Sequence, residues 1–157
     1  MFKRIIAFVL AFVLLLVAAF VSNPYVFNKC KTADDFAETL QKSVDDGDFN
    51  RLLVCISRQD RLKHFSSIFC LQIGSIMGMQ KDCVYELLGI LFDVEMYNGK
   101  CNIRKFETMY KEDIQSTEMI IMYYTDSNGE LLTAEAPLMN LEDSYYFESN
   151  LLEGFNK

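Results

Sequence analysis

The hydrophobic period of this chain changes once. Apolar residues recur at helical spacing as far as Leu91, and from Phe92 onward they alternate. A helix-period segment does not sit as a strand, nor a period-two segment as a helix, so helices come first and strands second. That order predicts an α+β fold. Three to four helices pack on one curved antiparallel sheet.

Local signals place the elements. Thr32-Ala33-Asp34-Asp35 reads as a capping box with Asp in place of Glu, and Ala33, Phe36, Ala37, Leu40 and Val44 follow on one helix face. The corner Val44-Asp45-Asp46-Gly47-Asp48-Phe49 ends that helix and starts another. Gly47 supplies a positive φ, Asp48 caps the next helix, and Phe49 opens its apolar face with Leu52, Leu53 and Ile56. Asp45 and Asp46 sit at a helix C-terminus, where negative charge is mildly unfavourable. Ser57 to Asp60 interrupts the pattern. A third run from Arg61 to Met79 has Leu62, Phe65, Phe69 and Ile73 on one side, and Gly74 and Gly78 would let another backbone approach. With His64, Gln72 and several serines, its roughly 15 mostly apolar residues fall short of a membrane span. A fourth helix opens near Asp82, with Val84, Leu87, Leu88 and Leu91 on one face.

Phe92, Val94 and Met96 then alternate with Asp93 and Glu95, and Asn98-Gly99 is a hairpin signal, so a strand is expected on either side of it. Residues 117–125 are apolar on both faces, with Met119, Ile121 and Tyr123 on one and Ile120, Met122 and Tyr124 on the other. Such a strand calls for cover on both faces. The cover is the domain's own core, an apolar ligand, a second copy or a partner subunit. Leu132, Ala134, Ala136 and Leu138 mark a half-buried strand after the turn at 126–129. Residues 144–152 close the sheet after the turn at Glu142-Asp143, with Tyr145, Phe147 and Leu151 on one face.

The N-terminus carries a different message. Lys3 and Arg4 precede 17 apolar residues, Ile5 to Val21, which is the grammar of an export signal. The best small-x-small site, Val17-Ala18-Ala19, has Val at its outer position, so an uncleaved anchor is the expectation and a cleaved leader the alternative. Basic residues stay on the cytoplasmic side. The chain then divides into a signal anchor or signal peptide (1–22), a tether (23–31), an α+β domain outside the cytoplasm (32–152) and a tail (153–157).

Without Lys3 and Arg4 the chain has 13 basic and 22 acidic residues, a net charge of −9. That argues against nucleic acid as a partner and against lying flat on anionic lipid. Cys30, Cys55, Cys70, Cys83 and Cys101 all follow the apolar run, where disulfides are permitted. Their number is odd, and their spacing assigns no pairing. Buried free thiols are the alternative. With one histidine and spacings of 25, 15, 13 and 18 between the cysteines, no usual zinc motif is present. No metal or cofactor is expected.

Catalytic constellations are sparse. His64 is expected at solvent or a helix end, and Cys70 lies six residues on, off its helix face. An isomerase-like mechanism needs a carboxylate base in an apolar cavity and a tyrosine donor. Tyr123, Tyr124 and Tyr145 are the candidates for such a cavity, or for a partner face.

The segments Thr32–Leu53 and Glu118–Leu138, with the tail Glu-Asp-Ser-Tyr-Tyr-Phe-Glu-Ser, resemble the nuclear transport factor 2-like (cystatin-like) proteins. These begin with paired helices joined at a Gly-Asp-aromatic corner and end in long antiparallel strands. A Trp common in the family's last strand is Tyr here, and Arg61 to Leu91 is more helical than in the family. The resemblance implies a cone-shaped domain of the kind found in single anchored bacterial proteins, secretion-system subunits and ketosteroid-isomerase-like enzymes. The expected function is non-catalytic binding or assembly at the membrane, with a protein partner or a homodimer. The alternatives are a small-molecule or isomerase-like pocket protein and an acidic immunity-type protein.

Overall fold

The computed structural model describes residues 6, 7, 9–13, 29–112 and 117–156. Lys3, Arg4 and most of the apolar run lie outside these residues. The described part of the run is helical and exposed, and among the described residues no helix is long and apolar enough to cross a membrane. Among the described residues from 29 onward, five α-helices, α1 (Ala33–Asp46), α2 (Phe49–Leu52), α3 (Arg58–Lys63), α4 (Phe65–Ile76) and α5 (Gln80–Phe92), precede four strands. The strands β1 (Asn102–Lys111), β2 (Thr117–Thr125), β3 (Leu131–Leu141) and β4 (Ser144–Phe147) form one antiparallel sheet in chain order. A 3₁₀ helix, Ser149–Asn156, closes the chain. The α+β order read from the hydrophobic period is the order found.

The first corner forms as its residues dictate. Thr32 and Asp35 exchange bonds in a capping box, at 3.0 and 3.2 Å. Gly47 takes φ +65°, and the Asp48 N–H donates back to the Ser43 carbonyl at 2.9 Å. Asp48 then caps α2 through the Arg51 N–H, and Phe49, Leu52, Leu53 and Ile56 are all buried. The charge at the end of α1 is offset in part, because Asp46 pairs with Arg51, while Asp45 accepts a neutral amide bond from Gln41 at 3.0 Å.

Three elements differ from their sequence reading. The run from Arg61 to Met79 is two helices broken at His64, and α3 starts at Arg58. Ser57 is no interruption. It caps α3 through the Asp60 N–H, and Asp60 in turn accepts from the Ser57 and Ser149 hydroxyls. Residues 92–96 form no strand. Asp93 adopts φ +50° and ends α5, and the Val94 N–H folds back onto the Gly89 carbonyl at 2.9 Å. A Cβ on Gly89 would stand 2.8 Å from the Val94 oxygen, so glycine permits this return. The last strand stops at Phe147, and Leu151 lies in the 3₁₀ helix.

The inner face of the sheet carries Ile103, Phe106, Ile120, Met122, Tyr124, Ala134, Ala136, Leu138 and Phe147, all buried. Helices α1 and α5 cover it. Four rings fasten the layers together: Phe147 packs edge-on against Phe36 of α1 (5.0 Å) and Phe92 of α5 (5.7 Å), and Phe92 reaches Phe106 of β1 (6.1 Å). Burial of such rings is the main stabilising term, about 1.5–3 kcal/mol each. A register shift interrupts the β1–β2 ladder between Ile103 and Lys105.

Candidate functional site

The two faces of β2 separate the tyrosines singled out by sequence. Tyr124 is buried on the inner face, and burial raises its phenol above the ordinary value. Tyr123 is on the outer face, opposite Lys105 of β1, with Glu107 one pair along, opposite Ile121. Tyr145 is on β4, in a cleft of about 540 Å³ between the start of α1 and β1–β2. The structure therefore gathers no triad of tyrosines.

Each tyrosine finds its own partner. The Tyr123 hydroxyl donates to Glu107, which holds the phenol above its ordinary value. The Lys105 ammonium bonds Glu107, lowering that carboxyl, and sits 4.5 Å from the Tyr123 ring centre. The Tyr145 hydroxyl donates to Glu118 in the cleft, and this too raises its phenol. Thr108, Met109 and Tyr110 line the same cleft.

The outer face of the sheet has an apolar strip of Met109, Met119, Ile121, Tyr123, Pro137 and Met139. All are half-buried; Met109, Met119 and Pro137 are in register across β1, β2 and β3, whereas Ile121 lies between Glu107 and Glu135 and Met139 is opposite Tyr146 of β4. The pairs Lys105–Glu107 and Lys111–Glu135 flank it. Sequence called for cover on both faces of β2. Among the described residues, helices cover only the inner one.

His64 and the cysteines are placed as follows. His64 is buried rather than solvent-facing, and it sits at the α3–α4 break with its ring 5.7 Å from Phe155. Cys70 is exposed on α4. Cys30 and Cys55 are both buried and share a hydrogen bond. That bond lowers the Cys30 thiol, while burial pushes the Cys55 thiol well up. All five cysteines are free thiols. Among the described residues no group of three or more His, Cys, Asp or Glu side chains could hold a metal ion.

A second cleft of about 730 Å³ runs along α5 and the following loop, with Asp82, Glu86, Asp93 and Glu95 on its wall. Sequence reasoning missed it because α5 and the loop contribute two carboxylates each. Only the Val94–Gly89 return puts them together. No family model, curated protein or solved structure matches the chain.

Proposed function

We propose that this chain is a non-catalytic binding or assembly domain, held at a membrane by residues 5–21 and lying outside the cytoplasm. The observation that carries the binding role is the outer strip of the sheet. An apolar centre of methionine, isoleucine and tyrosine inside a rim of ion pairs has the composition of a protein–protein interface. The occupant is a protein partner, since its rim offers paired charges and its centre a flat surface rather than an enclosed cavity. The basic flank and the apolar run support the tether. Helices first and an antiparallel meander after them support a cone of the nuclear transport factor 2-like kind.

The test is affinity purification of the full chain from its native membrane, alongside an Ile121→Asp variant. A stoichiometric protein that accompanies the parent chain and is lost with the variant bears the reading out. A chain that purifies without such a protein from both sinks it.

One observation favours a second reading, a small-molecule pocket. The Tyr145–Glu118 pair in the α1–sheet cleft supplies a phenol donor beside a carboxylate, the two groups an isomerase-like site uses. Native mass spectrometry of the purified chain decides it: a bound small molecule that Tyr145→Phe removes supports the pocket.

A further inference from the structure

Helix α4 buries Ile68, Leu71, Gly74 and Ser75, half-buries Ser67, Phe69 and Gln72, and exposes the rest. Phe65 is 42% exposed, Ile73 39%, Ile76 73% and Met77 74%. Phe65, Phe69, Ile73 and Ile76 follow at steps of four, four and three, so they form one row along the helix. Phe65 and Phe69 stack on each other with centroids 5.4 Å apart. Leu62, 59% exposed on α3, precedes the row by three residues across the break at His64. A contiguous apolar face of this kind on a water-facing helix marks an interaction site rather than ordinary surface scatter.

Charge and chain path identify the occupant. The molecule is acidic overall, but from Arg58 to Lys81 its only acidic residue is Asp60, buried and bonded to Ser57 and Ser149. Arg58 and Lys63 are exposed at the α3 end of the row, with Glu153 4.0 Å from Lys63. The chain also enters the domain at that end. Lys29 lies 3.8 Å from Glu142, which shares a shallow groove with Arg58, Leu62 and Leu141. Seven residues, eight Cα steps, separate Val21 from Lys29, a reach of at most about 29 Å. A surface held that close to a bilayer meets it at high effective concentration, so even a weak contact is populated.

We propose that the α3–α4 face seats on the lipid bilayer to which the chain is tethered. Leu62, Phe65, Phe69, Ile73, Ile76 and Met77 enter the boundary between headgroups and acyl chains, and Arg58 and Lys63 meet anionic lipid phosphates. Interfacial helices sit in this way, with apolar and aromatic side chains down and cations at the headgroups. The negative charge of the rest of the domain fixes which side turns to the membrane. This seating rests on the tether of the proposed function.

The test uses the full chain carrying Cys70→Ser and Ile73→Cys, with an environment-sensitive fluorophore on the new thiol; the other four cysteines are buried. The chain is reconstituted into vesicles of phosphatidylcholine and phosphatidylglycerol. The expected result is quenching by spin-labelled lipid and loss of quenching by aqueous iodide, with Arg58→Glu and Lys63→Glu together reversing both. If the chain stays with the vesicles through an alkaline wash but iodide alone quenches the label, the seating is overturned and the tether stands. If the chain washes off, the tether and the seating fall together. If the label escapes both quenchers and stays shielded in detergent, a second copy covers the face, and the seating is again overturned.

Discussion

Removing the Asp60 carboxylate takes from the Ser57 and Ser149 hydroxyls the acceptor that joins α3 to the C-terminal 3₁₀ helix. Asp60→Ala is expected to cost about 1–3 kcal/mol in a urea titration, and Asp60→Asn less. A change within error would mean that the junction is not stabilised by this carboxylate. The Lys105–Glu107–Tyr123 cluster sets a pH window. Glu107 is lowered by its bond from Lys105, so its contribution is present above the ordinary carboxylate range and fades as pH falls through its folded value. Lys105 and Tyr123 are both raised by bonding Glu107, so theirs holds below their ordinary values and fades as pH rises through the folded ones. Glu107→Gln should therefore return the Tyr123 phenolate absorbance to lower pH, with Tyr123→Phe identifying the signal; an unmoved titration contradicts the bond. Single residues were legible where the partner is local, as at Thr32, Gly47 and Asp48. His64 was not. Its ring packs against Phe155, 91 positions away in the chain, and no local pattern announces that contact.

At the scale of elements, Gly47 is the residue that ends α1. At φ +65° a Cβ costs about 1–2 kcal/mol in conformation, and it would also meet the Lys81 side chain at 2.8 Å. Gly47→Ala is expected to destabilise by at least the conformational part, as read by thermal unfolding. Phe147, on the shortest strand, touches two helices through Phe36 and Phe92, so Phe147→Ala should cost about 3–5 kcal/mol. A loss below 1 kcal/mol would mean the ring lattice is not what joins the layers. Caps and strand alternation placed α1, α2, β2 and β3 from sequence, because each is written in neighbouring residues; β1 was expected as the return of a hairpin at Asn98-Gly99 and stands without that hairpin's first strand. Residues 92–96 alternate as a strand would, yet Asp93 turns left-handed and Val94 bonds Gly89 instead of a neighbouring strand. The alternation there reports the burial of Met96 beneath the loop, not a place in the sheet.

For the whole molecule, the sequence indicated that something must lie on the second face of β2, but not that the helices would leave it open. Helix α4 held a similar ambiguity, since its apolar row was legible and its exposure was not. Which side of a nearly all-apolar helix meets the core depends on Gly74, where Cys83 approaches to 3.0 Å of where a Cβ would be. The thiols offer a test of how the chain enters the domain. Cys30 sits at the start of the domain, its carbonyl accepting from Tyr145 of β4 at 2.8 Å, and its thiol meets Cys55. Given a disulfide donor such as oxidised glutathione, the two thiols should give up two protons and two electrons and join, with Cys30 as the attacking thiolate. Peptide mapping is expected to recover the Cys30–Cys55 link, while iodoacetamide on the reduced, folded chain labels Cys70 first. Scrambled links would contradict the pairing.

The register shift in β1 has one more effect. β1 is a ten-residue edge strand, long enough to template pairing with a neighbouring chain. The shift between Ile103 and Lys105 breaks the evenness of that edge, and Arg104 and Lys105 place two cations at the break. The opposite edge, β4, is only four residues long, and the Cys30 carbonyl already occupies one of its N–H groups. Crowded together, such chains have no clean border to add to, and the sheet is expected to stay four strands wide rather than grow into fibres.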